Sequence, residues 1–123
     1  MDRRKELIMA YKETPRPMGA YAIRNTVTGR VLVGGSMDLP AMFNRQSFQL
    51  RMKSHRCKAL QADWDSYGGE AFAFEVLEKV DAAKVPREDW RETVAALEAK
   101  WLEKLQPYDR EGYNERKKTK ALT

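Results

Sequence analysis

A chain of 123 residues is expected to form one domain, and 42% hydrophobic residues are enough to build its core. The net charge of +5 permits a nucleic-acid partner without requiring one, and no apolar run approaches the length of a membrane-spanning helix. With Cys57 as the single cysteine and His55 as the single histidine, an internal disulfide and a zinc cage within the chain are excluded. A reducing cytoplasm is the expected location, since no apolar signal-peptide core follows the charged N-terminus.

The first elements in chain order are a short helix and a β-hairpin. Residues 1–16 combine a helical pattern with a linker that is broken by prolines. Residues 19–25 and 30–34 are extended patterns rich in β-branched and aromatic residues, which predicts two strands. Gly29 supplies the turn between them because glycine adopts a positive φ without strain.

Two helices are predicted after the hairpin. Asp38 is a suitable N-cap ahead of a proline, and the helix that it begins is expected to run to about Met52. Ser54 is the predicted N-cap of the second helix, which ends where two glycines follow Tyr67.

A third strand and a long helix complete the pattern. Residues 71–77 alternate between apolar and other residues, which predicts a strand. Its apolar face consists of Phe72, Phe74 and Val76. The last helix is predicted between Pro86 and Pro107. Its apolar stripe consists of Trp90, Val94, Leu97, Trp101 and Leu105.

This order of elements predicts an α+β domain. Its core is a small, three-stranded, mainly antiparallel sheet, made of the hairpin and a third strand and flanked by helices. The domain is expected to span residues 17–115. Residues 1–16 are assigned to an N-terminal helix and linker, and residues 116–123 to a basic, solvated tail.

Glu98 is the anomaly of the last helix. Apolar residues surround it at helical offsets, namely Val94, Leu97, Trp101 and Leu102. A carboxylate in such a place is costly unless it is hydrogen-bonded, paired with a cationic side chain or bound to a metal ion. Two interpretations stay open. Glu98 lies at the border of the stripe and pairs with a lysine or arginine, or it is a functional carboxylate.

Tyr21 and Asn114 each have an ordinary and a functional interpretation. A tyrosine on a small sheet usually belongs to the core, whereas a phenol near a scissile phosphate can polarise water or accept its proton. Asn114 is interpreted as a turn residue that fixes the local backbone, or as an amide that contacts the site.

Basic residues cluster where the first long helix meets the second. The cluster consists of Arg45, Arg51, Lys53, Arg56 and Lys58. A solvated face explains these residues, and so does a face that follows nucleic-acid phosphates. His55, near the start of the second helix, is either a polar residue of that helix start or a phosphate contact beside free backbone amides.

Six segments in order resemble the motifs of the GIY-YIG nuclease family over roughly residues 19–114. They are Gly19-Ala20-Tyr21, Leu32-Val33-Gly34, the glycine-serine link Gly35-Ser36, the segment from His55 to Trp64 with Tyr67-Gly68, Leu97-Glu98 with Trp101-Leu102, and Gly112-Tyr113-Asn114. Within the family, Phe43-Asn44-Arg45 and Phe48-Gln49-Leu50 resemble a bacterial group that is also found with transcriptional regulators.

The resemblance implies a set of roles. Tyr21 helps to activate water, and Glu98 holds one divalent cation, Mg²⁺ or Mn²⁺, that acts as Lewis acid. Asn114 is the closing asparagine of the motif set, and the three residues are expected to converge on one cleft. Ser36 and His55 are lesser candidates for the site or for the nucleic-acid face.

The chain departs from the family pattern at two positions. Leu32 replaces the tyrosine of the second motif, and Met42 stands where an arginine on the first helix is expected to stabilise phosphate charge. Arg45 lies one helical turn further on and is either the substitute for that arginine or a surface residue. Losing one electrostatic donor costs about a hundredfold to a thousandfold in rate, so weak activity is expected.

The sequence thus favours a nucleic-acid-binding protein with weak metal-dependent endonuclease activity. Its expected partner is DNA, and no membrane association is expected. The alternative is a catalytically silent binding or regulatory module on the same fold, and a third interpretation is a relic whose surface now binds protein.

Overall fold

The computed structural model describes residues 17–115. In this range the elements are β1 (Met18–Asn25), β2 (Val31–Ser36), α1 (Leu39–Arg51), α2 (Lys58–Tyr67), β3 (Phe72–Val80) and α3 (Trp90–Leu105). Short 3₁₀ turns lie at Gly69–Ala71, Ala82–Lys84 and Arg87–Asp89. The predicted α+β class is confirmed. The predicted N-terminal helix and basic tail, residues 1–16 and 116–123, lie outside the described residues.

The sheet has the order β2-β1-β3, and both strand pairs are antiparallel. The predicted hairpin joins β1 to β2, and Gly29 in its turn has a φ of 82°. Asn25 ends β1 with its side chain fully buried. Its Oδ1 accepts a hydrogen bond from the backbone N–H of Val27 at 3.0 Å, so the turn is closed from inside the protein.

β3 continues beyond the predicted 71–77 and contains a β-bulge. Ala20 pairs with Glu78 but the next residue, Tyr21, pairs with Val76, so Leu77 is the extra residue. The bulge moves the following side chains to the other face of the sheet, because side chains alternate along a strand. Phe74, before the bulge, packs on the α1 and α2 side, whereas Val80, after it, packs on the α3 side.

The helices cover both faces of the sheet and form two apolar clusters. The larger one lies against α1 and α2 and contains Tyr21, Ile23, Leu39, Leu50, Leu60 and Tyr113. The smaller one lies against α3 and contains Met18, Ala82 and Val94. β1 contributes odd-numbered residues to the first cluster and Met18 to the second, as strand alternation requires.

The start of α1 agrees with the prediction and the start of α2 does not. Asp38 caps α1 by accepting a hydrogen bond from the N–H of Ala41 at 3.1 Å. The prediction that Ser54 caps α2 is wrong, because the N-cap is Cys57 and no side chain caps it. The Oγ of Ser54 instead donates to the carbonyl of Gln49, at the end of α1.

Among residues 17–115, none of the helices combines the length with the apolar character that crossing a lipid bilayer requires.

Candidate active site

α3 approaches the sheet closely where β2 has no side chain. A Cβ on Gly35 would lie 2.7 Å from Cγ1 of Val94 and 3.4 Å from Cβ of Glu98, distances too short or too tight for a side chain. Glycine at this position therefore lets the helix pack directly on the backbone of β2. This contact fixes the place of the half-buried Glu98 at the end of the sheet.

A cleft of about 240 Å³ opens beside Glu98. Its lining consists of Gly35, Ser36, Met37, Arg91, Val94, Ala95 and Glu98. Ser36 is the predicted site residue that joins Glu98 here, although its Oγ also accepts a hydrogen bond from the N–H of Asp38 at 3.0 Å. Tyr21 and Asn114 do not line this cleft.

The Glu98 carboxylate has no ion-pair or hydrogen-bond partner among residues 17–115. Ion pairs within the described range are Arg24–Glu75, Arg30–Asp63 and Lys100–Glu78. In this part of the chain Glu98 forms neither a salt bridge nor a side-chain hydrogen bond, so the interpretation of Glu98 as half of a border ion pair receives no support. A half-buried carboxylate without a partner is costly, which favours an external cation as its partner.

Tyr21 reaches the same end of the sheet from the opposite face. Its hydroxyl lies against Gly34, where a Cβ would be only 2.6 Å from it, and it makes no hydrogen bond with any described residue. Because consecutive residues of a strand point to opposite faces, the phenol and the Glu98 helix approach β2 from its two sides. Bare glycine backbone, Gly34 and Gly35, separates them.

Burial first, and the negative charge of Glu98 second, raise the pKa of Tyr21 to about 12. Glu98 is therefore close enough to act on the phenol electrostatically. At neutral pH Tyr21 is a neutral hydroxyl, so its chemistry in the resting state is that of a hydrogen-bond donor and not of a general base. The expected convergence of Tyr21, Glu98 and Asn114 is not observed in this cleft, because Glu98 alone of the three lines it.

Asn114 holds β2 from the side that faces away from β1. Its Oδ1 accepts from the N–H of Val33 and its Nδ2 donates to the carbonyl of Val33, both at 2.8 Å. Val33 directly precedes the glycine pair, so the amide of Asn114 stabilises the strand that carries the cleft. Both polar groups of this amide are thereby used, which favours the local-backbone interpretation of Asn114.

A polar network that sequence reasoning missed positions Asn114. Tyr113 donates its hydroxyl to Oδ2 of Asp63 at 2.6 Å and accepts from Nδ2 of Asn25 at 3.2 Å. Arg30 binds the same Asp63 oxygen at 3.1 Å and lies over the Tyr113 ring at 4.3 Å. Burial, and then the hydrogen bond to Asp63, raise the pKa of Tyr113 to about 12. The only sequence signal for this network was Tyr113 within its motif.

His55 lies inside the protein and does not face a phosphate. Its Nδ1 accepts from the N–H of Cys57 at 3.0 Å, and its Nε2 is hydrogen-bonded to Oε1 of Gln46. With Nδ1 as acceptor, the ring is the neutral Nε2–H tautomer. Burial is the main cause that lowers the pKa of His55. The ring ties α1 to α2, so the expected phosphate contact has no free nitrogen to make it.

Met42 packs against the larger apolar cluster and does not line the cleft of Glu98. It is half-buried against the larger apolar cluster, and its sulfur accepts from Nε2 of Gln46 at 3.3 Å. Arg45, its expected substitute, is exposed and does not line the cleft. The rest of the basic cluster is also exposed and forms no ion pair in the described range. These residues are Arg51, Lys53, Arg56 and Lys58.

Arg91 is a cleft residue that sequence reasoning missed. It lies two helical turns before Glu98 on the same face of α3 and lines the same cleft. The available signal was this spacing, but an arginine outside the apolar stripe reads as an ordinary surface residue.

The carboxylates near the cleft decide which kind of cation it could hold. Residues 17–115 contain no group of three or more histidine, cysteine, aspartate or glutamate side chains that could hold a metal. Glu98 therefore offers a single carboxylate in an open cleft. This suits Mg²⁺, which keeps several waters and is commonly bound through one or two carboxylates and substrate phosphates. It does not suit a closed structural zinc site.

The fold is shared with solved structures of a homing endonuclease. The catalytic domain of homing endonuclease I-TevI has a TM-score of 0.66 at 25% identity, over 81% of this chain and 99% of that domain. A glutamate-to-alanine mutant of the catalytic domain of intron endonuclease I-TevI gives 0.65 at 26% identity, over 80% and 92%. No family model and no curated protein sequence matches the chain.

I-TevI is a GIY-YIG homing endonuclease, and the chain has the GIY-YIG nuclease fold. The resemblance inferred from the motifs is therefore confirmed for the fold.

Proposed function

We propose that this protein binds nucleic acid and hydrolyses its phosphodiester bonds slowly, with one Mg²⁺ or Mn²⁺ ion. The observation that carries the proposal is the half-buried, unpaired Glu98 carboxylate in a cleft of about 240 Å³. It is supported by a fold shared with the catalytic domain of a homing endonuclease. The expected substrate is DNA, and the expected location is the cytoplasm.

In the proposed reaction a water oxygen forms a bond to phosphorus while one P–O ester bond breaks. The leaving oxygen gains a proton, and the proton of the attacking water passes to solvent. Glu98 would hold the cation, which when bound supplies Lewis-acid stabilisation of the phosphate charge. Tyr21 is neutral at pH 7 because its pKa is raised to about 12, and it supports the glycine backbone of β2 from the opposite face of the sheet. Ser36 lines the same cleft as Glu98.

Slow turnover follows from two apolar side chains. Leu32 and Met42 both pack against the larger apolar cluster and offer no donor to a phosphate. Removing a single electrostatic donor from such a site costs about a hundredfold to a thousandfold in rate. The proposed enzyme therefore works below the rate of a site with the full set of donors.

Glu98→Gln is the decisive variant. The amide keeps the shape of the side chain and removes the anion, so cleavage of duplex DNA with Mg²⁺ is expected to vanish while binding persists. The matched control is Glu103→Gln, an exposed glutamate on the same helix, which is expected to cleave like the parent protein. Cleavage that survives in chelator, or equally in Glu98→Gln, would contradict the proposed metal role.

The second candidate is a silent binding module on the same fold. It is favoured by Leu32 and Met42, and by the exposed cations near the α1–α2 junction. Phe48 in the last turn of α1 and Met52 at its C-cap are 56% and 61% exposed, and this apolar surface is accessible to a protein partner. Salt-sensitive binding without cleavage of duplex, branched or single-stranded substrates, with either Mg²⁺ or Mn²⁺, would support this module over the enzyme.

A further inference from the structure

Two clefts meet at the beginning of α3, and Arg91 lines both. The first, about 240 Å³, contains Glu98, and the second, about 390 Å³, lies towards the helix start and is lined by Met37, Arg87, Glu88, Trp90 and Arg91. Met37 and Arg91 belong to both linings, so the two clefts are neighbours. The result is a groove with the Glu98 carboxylate at one end, and with the guanidinium groups of Arg91 and Arg87 and the carboxylate of Glu88 along it.

Arg91 is available to an external anion. Its side chain is exposed, and it takes part in none of the ion pairs formed inside residues 17–115. Arg87 extends the positive charge, and its guanidinium lies 5.7 Å from the centre of the Trp90 ring. The planar guanidinium presents several donors in a fork that matches phosphate oxygens.

We infer that Arg91 contacts the phosphate that is cleaved next to Glu98, and that nucleic acid enters along the first turns of α3. The inference rests on the proposed function. It moves the charge-stabilising group from α1 to α3, where it shares a cleft with the carboxylate. Met42 occupies the α1 position with an apolar, half-buried side chain that packs on the other face of the sheet, whereas Arg91 lines the cleft of Glu98 itself.

Arg91 is favoured over Arg45 by placement. Arg45 is exposed on α1 and lines neither cleft, whereas Arg91 and Glu98 line one cleft together. A phosphate within reach of the Glu98 carboxylate is therefore in the same cavity as Arg91. Arg87, further along the groove, is placed for the phosphate of a neighbouring nucleotide, since successive phosphates follow the strand.

The test compares Arg91→Ala with Arg45→Ala in cleavage of duplex DNA with Mg²⁺. Arg91→Ala is expected to lower the rate about a hundredfold to a thousandfold, as loss of a phosphate donor does. Arg91→Lys is expected to recover part of the loss, because it keeps the charge and loses the fork. Arg110→Ala, an exposed arginine on the segment after α3, is the control and is expected to match the parent.

A second readout does not need catalysis. In chelator and in the Glu98→Gln background, Arg91→Ala is expected to weaken DNA binding and to reduce the slope of log affinity against log salt by about 1, the signature of one lost phosphate contact. Equal effects in Arg91→Ala and Arg110→Ala would overturn the inference. So would parent-like cleavage and binding by Arg91→Ala, with the proposed function still intact. A parent protein that neither binds nor cleaves DNA defeats the proposed function and this inference with it.

Discussion

The Tyr21 phenol shows how one residue depends on the lack of a side chain on another. Its hydroxyl occupies the space that a Cβ of Gly34 would fill, at 2.6 Å. The motif Leu32-Val33-Gly34 therefore needs its glycine for a steric reason, independent of any catalytic role. The sequence pattern alone does not reveal this steric requirement for Gly34.

Alkaline pH should destabilise the fold through Tyr21. Its pKa is raised from the ordinary 10.0 to about 12, so the folded chain keeps a proton that the unfolded chain loses in this range. The stabilisation is complete below pH 10 and is lost as the pH rises towards about 12. A shift of about two pKa units corresponds to at most roughly 3 kcal/mol. Tyr21→Phe should flatten this loss in denaturant unfolding measured across the range.

The comparison with Tyr113→Phe separates two buried phenols. The pKa of Tyr113 is also raised to about 12, so each variant should remove only part of the alkaline loss. Glu98→Gln should lower the pKa of Tyr21, because the second cause of its shift is the negative charge of Glu98. An unchanged tyrosinate titration in Glu98→Gln would contradict the proximity of the two groups.

At the scale of elements, sequence patterns located the strands and helices but not the bulge. The hairpin and α1 were predictable because their turn glycine and aspartate cap are local signals. The bulge at Leu77 was not predictable, because apolar residues occur both before and after it in the sequence. The local alternation therefore gives no sign that the side chains change face. The N-cap of α2 was also predicted wrongly. The His55 ring, and not Ser54, bonds the backbone before that helix, because its Nδ1 accepts from the N–H of Cys57.

The contact between β2 and α3 is predicted to be sensitive to one methyl group. Gly35→Ala places a Cβ 2.7 Å from Cγ1 of Val94, so the helix has to move. Overpacking of this kind typically costs about 1–3 kcal/mol, so the free energy of unfolding is expected to fall by that amount. Cleavage should fall as well, because Glu98 lies on the displaced helix. Denaturant unfolding and cleavage assays measure the two effects.

The matched variant is Gly35→Ala combined with Val94→Ala. Removing the Val94 methyl groups frees the space that the new Cβ needs, so the double variant should be less destabilised than the sum of the two single changes. Strictly additive losses would contradict the idea that this close contact positions α3.

At the scale of the whole molecule, positive charge is in excess, and cations without ion pairs lie exposed on the described part of the chain. The chain carries a net charge of +5, and the cluster from Arg45 to Lys58 is exposed without ion pairs in the described range. The global charge was readable from composition. The role of Arg91 in the cleft was not, because the cleft that it shares with Glu98 exists only once α3 is packed on β2.

Binding to DNA is predicted to be salt-sensitive and tolerant of sequence. Non-specific contacts of this type have dissociation constants on the order of 10⁻⁴ to 10⁻⁶ M at physiological salt. Replacing Arg51, Lys53 and Arg56 together by alanine should weaken binding uniformly across sequences and reduce the salt dependence. Fluorescence anisotropy at several salt concentrations measures this. A parent protein without affinity at low salt would favour the protein-binding module.

The segment that carries Asn114 has a consequence for self-association. Strand β2 is the last strand on its side of the sheet, and such a strand offers free N–H and C=O groups to any extended chain. Here the backbone N–H of Tyr113 donates to the carbonyl of Val31 at 2.9 Å, and the side-chain amide of Asn114 bonds both the N–H and the C=O of Val33. The template for strand addition between copies, the first step of domain swapping or fibre growth, is thereby covered. The segment that carries Asn114 thus disfavours strand pairing between copies through the free edge of β2.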